Sequence, residues 1–153
     1  VEAPSEAALT AAAELAREAA RRYGEAKKSK LTAALAECRE KLSRAATLFA
    51  ANDEAGAGAL VVSGLKDALA RDLFTQSDIN RMGYEALDRK EFPMAVAVLK
   101  HNAEAFPRSA NAFDSLGEAY LRSGDKDKAR ESYRKALALD PNLASAKQAL
   151  EKL

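Results

Sequence analysis

The sequence predicts an all-α protein built as a right-handed stack of paired helices. Three observations favour this fold class. One 34-residue pattern occurs twice between positions 76 and 141, apolar residues elsewhere follow helical spacing, and no segment alternates apolar and polar residues long enough for a half-buried strand. Only seven Gly and four Pro occur in 153 residues. This composition is typical of long helices joined by short turns.

The repeat is defined by six pairs of positions that lie 34 residues apart. The pairs are Ile79 with Phe113, Met82 with Leu116, Gly83 with Gly117, Ala95 with Ala129, Leu99 with Tyr133, and Pro107 with Pro141. In each copy, glycine and alanine are twelve residues apart. In a helix–turn–helix unit this spacing predicts a small residue on each helix where the two axes cross, so that the helices approach closely. We therefore expect antiparallel helix pairs in residues 76–109 and 110–143.

Residues at the predicted helix ends agree with these boundaries. Pro93 falls in the first turn of a second helix, where a missing N–H does no harm. Ser109 and Asp125 are predicted N-caps, because their side-chain oxygens can accept from the first free N–H groups of a helix. Pro107 and Pro141 follow the helix ends and stop further helical growth.

The second copy carries a family resemblance. It reads Phe113-x-x-Leu116-Gly117-x-x-Tyr120, followed by Ala129-x-x-x-Tyr133 and Pro141. This pattern resembles the tetratricopeptide repeat, with Phe113 where that family usually has Trp. The resemblance covers about residues 76–153 and is similar to bacterial repeat blocks at the C-terminal ends of larger proteins. It implies an α-α superhelix that binds a protein or peptide segment in a concave groove. The sequence carries no catalytic constellation, so we expect neither an enzyme nor a cofactor, and it does not choose between the bacterial cytoplasm and periplasm.

The resemblance also implies which side chains face the groove. The first helix of each repeat lines it, and the residues expected to contact a partner are Asn80, Tyr84, Leu87, Asn111, Asp114, Glu118 and Arg122. Asp88 and Ser145 occupy further groove positions. Tyr84 and Leu87 would supply apolar contact, and the amides would bond to the partner's backbone. Asp114 and Glu118 lie one helical turn apart and would receive a Lys or Arg, although an ordinary solvated acidic face is the alternative.

The remaining segments are also predicted to be helical. Residues 1–75 form an N-terminal region with an Ala-rich helix to about Arg22, a break at Gly24 and residues 27–30, and two helices over about 30–50 and 55–73. Those two helices are expected to form a repeat-like hairpin with Cys38 as a core thiol. Residues 142–153 are expected to form a capping helix with a polar outer face.

Composition argues against several function classes. The chain has 24 basic and 23 acidic residues, evenly spread, which does not favour nucleic-acid binding. No segment is long and apolar enough for membrane insertion. His101 is the only histidine, no metal-ligand spacing surrounds it, and we expect it in a solvent-facing or groove-edge position.

Three functional hypotheses remain open at this stage. The chain is a separate interaction module or adaptor, an accessory domain of a larger bacterial enzyme such as a serine hydrolase, or a self-associating structural protein. The first residue is Val1 rather than Met, which favours a processed form or a fragment. Gene context would separate the first two hypotheses, and mass in solution would test for a homo-oligomer.

Overall fold

The computed structural model describes residues 14, 17, 18 and 28–153. Across residues 28–153 it contains helices and turns and no strand, which confirms the predicted all-α fold class. The helices are α1 (Lys28–Ala50), α2 (Glu54–Ala70), α3 (Gln76–Asp88), α4 (Phe92–Ala105), α5 (Ala110–Ser123), α6 (Lys126–Leu139) and α7 (Ala144–Lys152). Apart from its three described residues, the predicted Ala-rich N-terminal helix lies outside the described part of the chain.

Backbone contacts divide the chain into two compact units, Val1–Met82 and Gly83–Leu153. The first unit contains α1, α2 and the beginning of α3. The second contains the rest of α3 together with α4–α7. None of the described helices is long and apolar enough to cross a membrane.

The first unit is built around the predicted hairpin of α1 and α2. Ala45, Val61 and Leu65 have no exposed surface between the two helices. The Cys38 thiol is buried and donates a hydrogen bond to the carbonyl oxygen of Gly64 at 3.4 Å. Burial raises the pKa of Cys38 to about 11, so that the thiol stays protonated at neutral pH. Cys38 is thus a core residue, as predicted.

The limits of this hairpin differ from the prediction at two places. Residues 28–30, inside the segment expected to be a break, are helical and belong to α1, since Lys has a good helix propensity. Helix α2 ends at Ala70 and not at Leu73. Leu73 lies after the end of α2, and its side chain is nevertheless buried. Its apolar side chain extended the helical pattern in the sequence beyond the true helix end.

The predicted capping residues of the second unit are confirmed. The Ser109 side chain accepts from the N–H of Ala112 at 3.2 Å, and Asp125 accepts from the N–H of Lys128 at 3.1 Å. Pro93 lies in the first turn of α4, as predicted. Pro107 and Pro141 lie in the turns that follow α4 and α6.

The repeat glycines make room for large side chains of the following helix. A Cβ atom built on Gly117 would lie 2.8 Å from the Tyr133 ring, and a Cβ on Gly83 would overlap the side chain of Leu99. Ala95 and Ala129, the small residues predicted on the second helix of each pair, are fully buried. Leu99 and Tyr133 occupy the space that a side chain on Gly83 or Gly117 would need.

Four helices end in the same hydrogen-bonded turn. The residues with positive φ in these turns are Asn52 (60°), Asp72 (54°), Lys90 (62°) and Gly124 (94°). In every case the next residue donates its N–H to the carbonyl five positions earlier, at 2.9 Å. This is the 6→1 bond of a Schellman motif, which normally places glycine at the left-handed position.

The C-terminal helix α7 closes the second unit as predicted. Ala146 is fully buried, and Leu143, Ala149, Leu150 and Leu153 pack partly buried against the core formed with Ala129, Tyr133 and Ala136. Ala144, Ser145, Lys147, Gln148, Glu151 and Lys152 are exposed. The helix therefore covers the last apolar surface of the repeat and presents a polar outer side.

We expect Gly117→Ala to destabilise the protein by about 1–3 kcal/mol, because the added methyl group overlaps the Tyr133 ring. Gly58→Ala is the control. Gly58 lies inside a helix, and a Cβ atom built on it has no neighbouring atom within 4 Å. That change should raise the free energy of unfolding by about 0.5–1 kcal/mol. Denaturant unfolding of both variants measures the difference, and equal effects would contradict the assigned packing.

Lys90→Gly should stabilise the turn after α3 and raise the free energy of unfolding. Lys90 holds a left-handed backbone conformation that costs an L-residue about 1–2 kcal/mol, part of which glycine would recover despite its more flexible unfolded state. Gly124→Ala is the reciprocal change and should destabilise by a similar amount. Thermal and denaturant unfolding of the two variants should move in opposite directions; a loss of stability in Lys90→Gly would refute the explanation.

Candidate functional site

The candidate site is a polar face formed in the second unit by α3, α5 and α7. We call it the α3–α5–α7 face, and its residues are Tyr84, Asp88, Asn111, Asp114, Glu118, Arg122 and Ser145. Asn111, Asp114, Glu118 and Arg122 follow one another at three- and four-residue steps, which places them on one side of α5. Asn80 belongs to the first compact unit, so the site described here is limited to residues of the second unit.

Equivalent positions of the two repeats meet on this face. Tyr84 and Glu118 lie 34 residues apart, and the Tyr84 hydroxyl donates to Glu118 Oε2 at 2.9 Å. Asp88 and Arg122 are also 34 residues apart, and their side chains approach to 3.5 Å. Two neighbouring helices of a repeat stack thus place complementary residues side by side at the same repeat position.

Tyr84 is half-buried, and its hydroxyl lies beside negative charge. Burial, together with the carboxylates of Glu118 and Asp114 and against an opposing hydrogen bond with Ser115, raises the pKa of Tyr84 to about 12. Tyr133 lies below the same face, and burial together with these two carboxylates also raises its pKa. The two tyrosines therefore remain neutral hydrogen-bond donors in the physiological range.

Asp114 connects α5 to the capping helix. Its Oδ2 atom accepts a hydrogen bond from the Ser145 hydroxyl at 2.8 Å. Burial raises the pKa of Asp114, the charge of Glu118 adds to this, and the Ser145 hydrogen bond opposes it. The Oδ1 atom is buried and has no hydrogen-bond partner among the described residues. Asp114 therefore contributes negative charge from just beneath the surface.

The Arg122 side chain extends from α5 to the end of α3 and lies between two carboxylates. It donates to the carbonyl oxygen of Leu87 at 2.8 Å. Its guanidinium lies 3.5 Å from Asp88 Oδ1 and 3.8 Å from Glu118 Oε1. These contacts join α3 to α5, and they leave three carboxylates on the face against one guanidinium.

The structure contradicts the positions that the sequence predicted for Leu87 and His101. Leu87 was expected to offer apolar contact to a partner, but its side chain has no exposed surface and packs in the core. Only its carbonyl oxygen takes part in the face, through Arg122. His101 was expected at a solvent-facing or groove-edge position, and the structure buries it on α4 at 7% exposure. Sequence periodicity could not separate the buried side of these helices from the adjoining groove side.

Two residues of the face were not among the predicted contact residues. Asp88 and Ser145 were only general groove positions, and the structure gives them defined partners in Arg122 and Asp114. The signal for Asp88 was available in the sequence, because Arg122 follows it by one repeat length. No comparable signal pairs Ser145 with Asp114, which are 31 residues apart.

The face has the chemistry of a cation acceptor. Asp88 and Glu118 expose 77% and 40% of their side chains, and Asp114 adds a third charge below them. Asn111 is exposed and offers an amide donor and acceptor. In the part of the chain that the structure describes, no group of three or more His, Cys, Asp or Glu residues could hold a metal ion.

Comparison with models of known protein families finds a match to one segment of the chain. Residues 110–143, which contain α5, α6 and the turn after α6, match the family model of the tetratricopeptide repeat. A search of curated proteins found no match to the chain.

The raised pKa of Tyr84 predicts a loss of stability in alkali. The folded state keeps the Tyr84 proton up to about pH 12, whereas the unfolded chain releases it near its ordinary pKa of 10.0. The stabilisation is therefore complete below pH 10 and is lost as the pH rises towards 12. Tyr84→Phe should flatten this decline in unfolding free energy, and the raised pKa values of Tyr133, Tyr120 and Cys38 should contribute to the part that remains.

Glu118→Gln provides the matched control for that titration. It preserves an acceptor for the Tyr84 hydroxyl but removes one of the charges that add to the effect of burial on the phenol pKa, so phenolate absorbance should appear at lower pH than in the wild type. An alkaline stability profile of Tyr84→Phe identical to that of the wild type would contradict the described environment of Tyr84.

Proposed function

We propose that this chain, whose residues 110–143 match the tetratricopeptide repeat, is a non-catalytic module that binds a protein or peptide segment on the α3–α5–α7 face. Tetratricopeptide repeats present the first helices of successive repeats to a partner. Here those helices are α3 and α5, and α7 extends the same face. The proposal needs no cofactor and no chemical step.

The excess of carboxylates on the face supports a partner that carries Lys or Arg. Asp88, Asp114 and Glu118 contribute three negative charges, and Arg122 contributes one positive charge. Glu118 is the central acceptor, because it is partly exposed and lies between Tyr84 and Arg122. Asn111 would bond to the partner's backbone. Such a partner would be an extended segment whose basic side chain reaches Glu118.

The affinity of this face should be moderate. Two repeats and a cap offer less area than the ~800 Å² per partner of a standard interface. Electrostatic attraction should therefore contribute a large share of the binding and make it sensitive to salt.

The direct test removes the negative charges of Asp114 and Glu118 and retains the shapes of their side chains. In Asp114→Asn combined with Glu118→Gln, both side chains keep an oxygen that can accept from Ser145 and Tyr84. Lysine substitutions would be less informative, because Asp114 is half-buried and Glu118 already contacts Tyr84. We expect affinity for short Lys-containing peptides to fall about tenfold at low salt, as measured by fluorescence anisotropy.

The chain supplies a matched control in Asp127→Asn combined with Glu131→Gln. These residues have the same types and the same spacing on α6, and they are exposed. The control should bind Lys-containing peptides like the wild type, and peptides with Glu in place of Lys should bind neither protein. An equal loss in both double variants would show a general charge effect. Unchanged binding in the α5 variant would remove the α3–α5–α7 face as the site.

A further inference from the structure

The Arg122 guanidinium occupies the place where a partner's cation would bind. It lies within 4 Å of Asp88 and of Glu118, the two exposed carboxylates of the face. A basic side chain that bound Glu118 would lie beside this guanidinium and compete with it for the carboxylate. The protein thus carries, on its own α5, the type of group that the face is suited to receive.

Rigid elements hold Arg122 in this position. Its backbone belongs to the last turn of α5, and its side chain donates to the Leu87 carbonyl in the last turn of α3. A cation is favourable there because the carbonyl end of a helix carries partial negative charge. Asp88, one repeat length before Arg122, contributes a full charge on the other side. Arg122 is therefore pre-positioned before any partner arrives.

The contact with Glu118 is the weakest of the three and can be exchanged. The distance to Glu118 is 3.8 Å, compared with 3.5 Å to Asp88 and 2.8 Å to the Leu87 carbonyl. A guanidinium has five N–H donors, so Arg122 can retain Leu87 and Asp88 while Glu118 changes partner. Ion pairs at this level of exposure contribute little to stability, which keeps the exchange reversible.

From these contacts we infer that Arg122 is an autoinhibitory residue of the α3–α5–α7 face. It competes with the basic side chain of a partner for Glu118, and it lowers the affinity of the face for segments that carry a single Lys or Arg. This inference rests on the proposed function, because it assumes that the face binds cationic segments. It differs from the sequence-based expectation, in which Arg122 itself contacts the partner.

The test compares Arg122→Gln with Arg134→Gln. Arg134 is exposed on α6 and has no ion pair among the described residues, so its replacement removes the same charge without changing the face. The probe is a ten-residue peptide with one Lys in a Gly/Ser background, titrated by fluorescence anisotropy at low salt. We expect Arg122→Gln to bind it about fivefold more tightly than the wild type, and Arg134→Gln to change affinity less than twofold.

Two further variants keep the test decisive. Arg122→Met preserves the packing of the aliphatic stem and should show the same gain if the glutamine variant folds poorly. Arg122→Lys keeps a competing cation and should bind the peptide nearly like the wild type. In Arg122→Gln combined with Glu118→Gln, the gain should disappear because the contested carboxylate is absent.

The possible outcomes separate this inference from the proposed function. Unchanged or weaker binding by Arg122→Gln and Arg122→Met, with normal loss in the Asp114→Asn, Glu118→Gln variant, would overturn only the autoinhibitory role. Equal gains in Arg122→Gln and Arg134→Gln would overturn it as well, since they would reflect net charge. Absence of peptide binding by all proteins, including Arg122→Gln, would overturn the proposed function and this inference together.

Discussion

Leu99 and Tyr133 fill the space that the repeat glycines leave open, and this packing positions the other parts of the second unit. A side chain on Gly83 or Gly117 would overlap these residues, so the helices of each repeat could not keep their separation. Protein interiors are close-packed, and such an overlap forces side chains off their rotamers or shifts the backbone. The position of α3 relative to α4 therefore depends on the absence of a side chain at Gly83. The position of α5 relative to α6 depends in the same way on Gly117.

Because both repeats share this packing, α3 and α5 present equivalent positions side by side. That arrangement explains why Tyr84 contacts Glu118 and why Asp88 contacts Arg122, at a separation of one repeat length. The polar residues of the face consequently have two tasks. They hold neighbouring helices together, and they determine the charge that a partner would meet. A partner must compete with bonds that already exist inside the protein.

The capping helix extends this arrangement beyond the last repeat. Its apolar side packs against the core around Tyr133 and Ala136, and its Ser145 hydroxyl bonds to Asp114. The cap therefore stabilises the end of the second unit and fixes one carboxylate of the candidate site. The Asp114 carboxylate lies close to Tyr84 and Tyr133, and its charge contributes to the raised pKa values of both tyrosines.

The sequence by itself determined the helical class, the 34-residue repeat, the N-caps at Ser109 and Asp125 and the capping helix, because each follows from local periodicity or from hydrogen bonds within a few residues. It could not determine which large side chain lies over each glycine, the burial of Leu87 and His101, or the left-handed turn at Lys90. It also identified Asp114, Glu118 and Arg122 without showing that Ser145, Tyr84 and Asp88 already contact them. Those features depend on the rotation and separation of packed helices, which only the tertiary structure decides.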